Sequence, residues 1–199
     1  MAPDLNVVAL AMLVAWLVGC WLLWQIRTCG DLDQRYLSDP GPLVSVIVPA
    51  RNEERSLSNL LDSLAAQVRK ADEVVVVDDN STDATVSVAT SRGARVIQAG
   101  ALPAGWLGKA RACWVGARAS CGQILVFLDA DTTLARDGLV KLLSEHWRAG
   151  GLLSVQPYHT TLKPYERLAA GLNISLMMGM GVFTPLGVNA GRQVGHWPG

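Results

Sequence analysis

The chain has 199 residues, half of them hydrophobic, with 17 Lys and Arg balanced by 17 Asp and Glu for a formal net charge of zero. Without a basic block it lacks the concentrated positive surface that a phosphate backbone requires, so nucleic acid is not expected as a partner. Its four cysteines contain no C-x-x-C pair, which fits reduced thiols rather than a disulfide framework.

The first element is "VVALAMLVAWLVGCWLLW", Val7 to Trp24, a run without charge. At about 1.5 Å per residue it nearly covers a hydrocarbon core of about 30 Å, and Gln25 and Ile26 extend it. A cleaved signal peptide is the other reading, and "LVGC" at Leu17 to Cys20 resembles a lipoprotein cleavage box. No basic residue precedes the run, however, and the run continues past Cys20. Residues 1–27 are therefore expected to be a retained single-pass transmembrane anchor. Arg27 and Arg35 follow the run, so the positive-inside rule places the remainder in the cytoplasm, at the cell membrane.

Residues 28–42 read as a polar linker closed by Pro40-Gly41-Pro42. From Leu43, strand and helix signals alternate. Leu43 to Val48 is a strand, and Leu57, Leu60, Leu61 and Leu64 set a helix over Ser56 to Gln67. Glu73 to Asp79 is a β-branched run of the kind found in central parallel strands. Asp83 is placed to cap the next helix. Ala94 to Ala99 is a third strand, Lys109 to Ala119 a helix, Ile124 to Leu128 a strand, and Gly138 to Trp147 a helix. Leu152 to Gln156 is a last short strand. The alternation predicts an α/β domain over residues 43–164, with a mostly parallel sheet covered on both faces. Residues 165–199 change character. "LAAGLNISLMMGMGVFTPLG" fits a core helix and loop, and equally a helix lying against a bilayer surface.

Open α/β sheets bind ligands beyond the carboxyl ends of their strands. Here those ends carry "VPARNEE", "VDDNSTD" and the pair Asp129 and Asp131. Three acidic edges on one rim are unfavourable unless a cation or hydrogen-bond donors offset them. Carboxylate oxygens suit Mg2+ or Mn2+. On extended backbone, Asp129 and Asp131 at i and i+2 point to one side and would reach one metal. Taken alone, D-x-D also fits a solvated turn. "LPAGWLGKARA", Leu102 to Ala112, enters a helix at Gly108-Lys109, where amides and a lysine suit an anion. It lacks the Walker pattern, and no G-x-G-x-x-G occurs. Lys109 also fits an ordinary surface cation, and Trp106 a hydrophobic plug.

Together "VSVIVPARNEE", "EVVVVDDNSTDAT", "LPAGWLGKARAC" and "ILVFLDADTT" resemble the family 2 glycosyltransferases of the GT-A fold, from Leu43 to about Leu134. "GLLSVQPYHTTLKPYERLAAGLNISLMMGMGVF" resembles the membrane-bound enzymes of the diaponeurosporenoate (carotenoid) glycosyltransferase type, and "LPAGWLGK" is similar to hopanoid-associated relatives. The resemblance implies a Rossmann-like nucleotide-sugar-binding domain. In it Pro49, Ala50 and Glu53 would line the nucleotide site, and Asp79 with Asp78 would hold the uracil or ribose edge. Lys109 would lie near the diphosphate, and Asp129 and Asp131 would hold the metal. Gln156 to His159 would lie by the acceptor. The implied reaction is inverting, metal-dependent transfer from a nucleotide-diphosphate sugar, a UDP-sugar, to a lipid-like acceptor. Such enzymes carry a catalytic base carboxylate and often a Q-x-x-R-W motif further on. The last acidic residue here is Glu166 and the motif is absent, so a truncated chain that lacks the base is expected. Two other readings stand beside this one. One is a membrane-anchored nucleotide-sugar binder without catalysis. The other is a phosphatase of the haloacid-dehalogenase type, with Asp129 as nucleophile, Asp131 as acid/base and Thr133 in support.

Overall fold

The computed structural model describes residues 5–22, 29, 41–155 and 157. Among them, β1 (Val44–Ala50), β2 (Glu73–Asp78), β3 (Arg95–Gln98) and β4 (Ile124–Phe127) form a parallel sheet in the order β3-β2-β1-β4. The helices are α1 (Leu5–Leu22), α2 (Glu54–Ala65), α3 (Thr85–Ser91), α4 (Gly108–Ala119) and α5 (Gly138–Ala149). Two compact units are formed, with α1 in one and the sheet, within Cys29–Leu153, in the other.

The β-branched runs make the central strands because both sheet faces are covered. On one face Val46, Val48 and Val76 pack against Leu57, Leu60, Leu61 and Leu64 of α2 and Ala89 of α3. Val44 meets Leu139, Val140 and Leu143 of α5 on the same face. On the other face Ile47, Val75 and Val77 pack against Ala112 of α4. Full burial of each Val, Ile or Leu contributes roughly 1.5–3 kcal/mol relative to exposure. Gly116 lets α4 approach closely, since a Cβ there would lie 2.5 Å from Ile47 Cγ2 and 2.9 Å from Val77 Cγ2.

Polar bonds fix the two ends of these layers. At the amino edge of the sheet, Ser45 Oγ donates to Glu73 Oε2 at 2.7 Å and accepts from the Gly122 N–H at 2.9 Å. Glu73 also accepts from the Cys121 N–H at 3.0 Å and from Arg95 Nη1 at 2.8 Å. Beyond α2, buried Gln67 donates to the Ala135 carbonyl at 2.8 Å and accepts from the Leu139 N–H at 2.9 Å. This ties the segment after β4 to the end of α2.

The sheet leaves β1 toward β2 and β3 on one side and β4 on the other. The switch point therefore lies between the carboxyl ends of β1 and β4, where open α/β sheets form their ligand crevice.

Several expectations are corrected. α1 has 18 residues, about 27 Å at 1.5 Å per residue, against a core of about 30 Å. Among the described residues no helix is long and apolar enough to cross a membrane; the span expected over Val7 to Trp24 runs past Leu22 and so lies partly outside the described residues. Large apolar side chains of α1, Leu10, Met12, Trp16 and Trp21 among them, are exposed. Residues 152–155 form no strand. Gly150 and Gly151 stand before them at φ 67° and 63°, and Leu152 is 95% exposed. The residue preceding α3 is Ala84, while Asp83 Oδ1 accepts the Thr85 N–H at 3.0 Å from one position earlier. Most of the linker, the Gln156, Tyr158 and His159 positions, and the segment 165–199 lie outside the described residues.

Two outcomes are expected. Gly116→Ala drives a methyl into Ile47 and Val77, and should lower stability by about 1–3 kcal/mol, read as a reduced urea midpoint with an unchanged m-value. For Glu73, burial raises the carboxyl pKa, but the bonds from Cys121, Ser45 and Arg95 outweigh it and leave the group below its usual value. Its contribution is therefore present above the unfolded-state pKa and is lost as pH falls through the lower folded-state value. Glu73→Gln should cost roughly 1–3 kcal/mol at neutral pH and show a smaller further loss than the wild type between about pH 5 and 3.

Candidate functional site

β1 and β2 end in the same local device. Asn52 and Asn80, each two residues past its strand, hold φ values of 55° and 58°. Asparagine tolerates this left-handed region better than most residues. The two loops are then locked to one another. The Asn52 N–H donates to Ser81 Oγ at 3.0 Å, and the Thr82 N–H donates to Asn52 Oδ1 at 2.8 Å. The Glu53 N–H reaches Thr85 Oγ1 at 2.8 Å, and the Glu54 N–H reaches Asp83 Oδ2 at 3.2 Å. In return the Ala84 N–H donates to Glu54 Oε2 at 3.1 Å. The Thr85 hydroxyl on Asp83, with the backbone bonds beside it, holds that carboxyl below the usual range.

At the switch point lies an open cleft of about 320 Å³. Pro49, Ala50, Arg51 and Glu53 line it from β1 and its loop, and Asp79 from the end of β2. Lys109 and Ala112 contribute from α4, and Asp129, Ala130 and Asp131 from the turn after β4. The structure thus brings together Pro49, Ala50, Glu53, Asp79, Lys109, Asp129 and Asp131. Asp78 departs from the group. It is 3% exposed, and its Oδ1 accepts the Ser81 N–H at 3.2 Å, so it holds the loop from beneath. Thr133 does not line the cleft.

Arg51 and Ala112 join the lining without having been expected from the sequence. Arg51 sits inside "PARNEE", flanked by Pro49, Ala50 and Glu53. Gly108 shows its role only in three dimensions, since a Cβ there would lie 2.7 Å from Asp79 Oδ2. Ala112 is fully buried and serves as the floor where α4 meets β1. Trp106 is 39% exposed, with its ring centroid 6.1 Å from that of Trp114, so the loop before α4 rests on the helix it precedes.

Asp129 and Asp131 are aimed differently from the expectation. β4 stops at Phe127, and after one more ladder bond, from the Leu128 N–H to the Ile47 carbonyl at 3.0 Å, the chain turns. The Thr132 N–H closes on the Asp129 carbonyl at 3.0 Å. The turn, rather than strand alternation, brings both carboxylates to the cleft.

The lining carries four carboxylates and two cations. Arg51 Nη1 lies 3.9 Å from Asp79 Oδ2, and Lys109 Nζ lies 2.6 Å from Asp129 Oδ1. The hydrogen bond that Lys109 donates to Asp129 raises its ammonium above the ordinary pKa, burial lowers it less, and the charges of Asp129, Cys113 and Asp131 add to the rise. No side chain caps α4, so its amino end offers unclaimed amides next to Lys109. Among the described residues no three His, Cys, Asp or Glu are grouped to hold a metal. The donor set that is present, Asp129 and Asp131, suits a hard ion that takes one or two carboxylates and completes its shell with phosphate oxygens and water.

The family model described as Glycosyl transferase family 2 matches residues 45–174. The 4,4'-diaponeurosporenoate glycosyltransferase of Staphylococcus haemolyticus is 34% identical over 187 residues, covering 92% of this chain and 50% of that protein. The enzyme of the same name from Staphylococcus aureus is 42% identical over 147 residues, covering 72% of this chain and 39% of that protein. The chain spans half or less of the length of these relatives. Among solved structures, glucosyl-3-phosphoglycerate synthase of Mycobacterium tuberculosis, in complex with Mn2+, uridine diphosphate and glucosyl-3-phosphoglycerate, is 32% identical. That match covers 56% of this chain and 40% of the other, with a TM-score of 0.45.

Asn52→Ala removes the acceptor of the Thr82 N–H and strains a left-handed residue. It should cost about 1–3 kcal/mol and speed amide hydrogen exchange at Thr82 while exchange in the β1 core stays slow.

Proposed function

The chain belongs to glycosyl transferase family 2, and we propose that its cleft holds the diphosphate half of a UDP-sugar for inverting transfer to a lipid-like acceptor of the carotenoid or other isoprenoid type. The observation that carries this reading is the meeting of Lys109, the uncapped amino end of α4 and the Asp129–Asp131 turn at the switch point of the sheet. Helix amides and an ammonium favour an anion there. The acceptor class rests on the named curated relatives.

The charge balance of the lining supports a divalent cation. Four carboxylates against two cations leave the cleft negative, which by itself opposes a diphosphate. Asp129 and Asp131 would hold Mg2+ or Mn2+, and the bound ion supplies Lewis-acid stabilisation of the departing diphosphate, worth several kcal/mol. The side chains divide the remaining work. Lys109 and the first amides of α4 face the diphosphate. Pro49 and Ala50 form the wall beside the nucleoside. Asp79, held by Arg51, offers an acceptor to the base or ribose edge. Asp78 keeps the β2 loop in shape from below. Glu53 stays at the rim, its carboxylate bonded to Ser56 Oγ. A lipid-like acceptor implies work at the surface of the cell membrane, with this domain on the cytoplasmic side.

Calorimetric titration of the chain with UDP tests the reading. Binding should require Mn2+, and Asp129→Asn and Asp79→Ala should each weaken it by about tenfold or more, the scale of a lost charged hydrogen bond. Metal-independent UDP binding that Asp129→Asn leaves unchanged would sink the donor site. Phosphate trapped on Asp129 would favour the phosphatase. Binding without sugar transfer to a carotenoid acid would keep the donor site and remove the transfer from this chain.

A further inference from the structure

We propose that Lys109 is a built-in counter-ion for Asp129, one that stands in for the divalent cation and releases the carboxylate when a diphosphate arrives to take its ammonium. Metal and nucleotide would then bind as one unit, each favouring the other. This rests on the donor-site reading above and adds an order to it.

The argument begins with the ion pair. Lys109 Nζ lies 2.6 Å from Asp129 Oδ1. Asp129 belongs to the two-carboxylate set that suits a hard metal, so the ammonium takes up an oxygen that a metal at this site would need. A divalent ion arriving alone must displace that ammonium and then sit beside it, cation against cation. An ion arriving with a diphosphate meets a different balance, because the phosphate oxygens give Lys109 new acceptors. The ammonium therefore opposes the bare metal and assists the metal–diphosphate.

The position of Lys109 allows the exchange. Its side chain is 65% exposed and that of Asp129 is 57% exposed, so the ammonium has room to move. Breaking an exposed pair of this kind changes an equilibrium by a factor of roughly two to five. Lys109 is also the second residue of α4, so its backbone sits among the amides that would face the same diphosphate. Such a link is reciprocal: whatever nucleotide does to metal affinity, metal does to nucleotide affinity.

The test is the binding of Mn2+ to the 199-residue chain, read from the paramagnetic resonance of the free ion with and without UDP. The wild type should bind Mn2+ weakly alone and more tightly with UDP. Lys109→Met should bind Mn2+ alone roughly two- to fivefold more tightly than the wild type, and gain less from UDP. Lys109→Arg keeps the charge and should behave as the wild type. Circular dichroism confirms that each variant is folded, and Lys109→Gln replaces the methionine variant if that one is not. If UDP tightens Mn2+ equally in the wild type and in Lys109→Met, the donor site stands and the counter-ion falls. The counter-ion falls as well if Lys109→Met binds bare Mn2+ no better than the wild type. If UDP promotes Mn2+ binding in neither chain, the donor-site reading falls and takes the inference with it.

Discussion

β1 has no free side. Val44, Ser45, Val46, Ile47 and Val48 are all fully buried, with parallel partners on both edges and helices on both faces. A strand in that position must be apolar nearly throughout, and every polar requirement is pushed to its ends. At the amino end Ser45 is satisfied through Glu73 and Gly122. At the carboxyl end β4 pairs with β1 only as far as Ile47 while β2 pairs as far as Ala50, and the polar loops collect there. The site is placed by the burial of this strand.

The cleft is held from both flanks by bonds that join segments far apart in sequence. The loops after β1 and β2 exchange bonds in both directions, so neither shifts without the other. The turn that carries Asp129 and Asp131 is anchored downstream, where the Leu134 N–H meets Ser63 Oγ and Gln67 bridges to Ala135 and Leu139. Gly116 and Gly108 set the depth of α4 between them. One lets the helix lie on Ile47 and Val77, and the other lets its amino end touch Asp79. A ligand at the switch point therefore meets groups already held in place, which reduces the ordering required on binding.

The electrostatics follow from the same crowding. Acidic residues from three strand ends face one opening, and the chain relieves them with its own cations, Arg51 on Asp79 and Lys109 on Asp129. The Lys109–Asp129 pair is solvated on both sides, so it costs little to exchange, whereas Asp79 in the Arg51 pair is mostly covered. A site built this way favours a ligand that brings both signs of charge, as a metal diphosphate does.

Much of this was legible in the residues. The β-branched runs, the leucine spacing of α2 and the loop residues between them depend on local periodicity, which the side chains display directly. The acidic strand ends and Gly108-Lys109 were visible for the same reason. The failures share a cause. Strand order, the inward turn of Asp78, the turn that aims Asp131, the ion pair of Lys109 and the absence of a strand over residues 152–155 all depend on partners distant in sequence. The sequence by itself determined which segments form strands and helices and which chemistry stands at the strand ends. Tertiary structure alone decided which ends meet and which carboxylates face the opening, because those outcomes are set by packing across the sheet rather than along the chain.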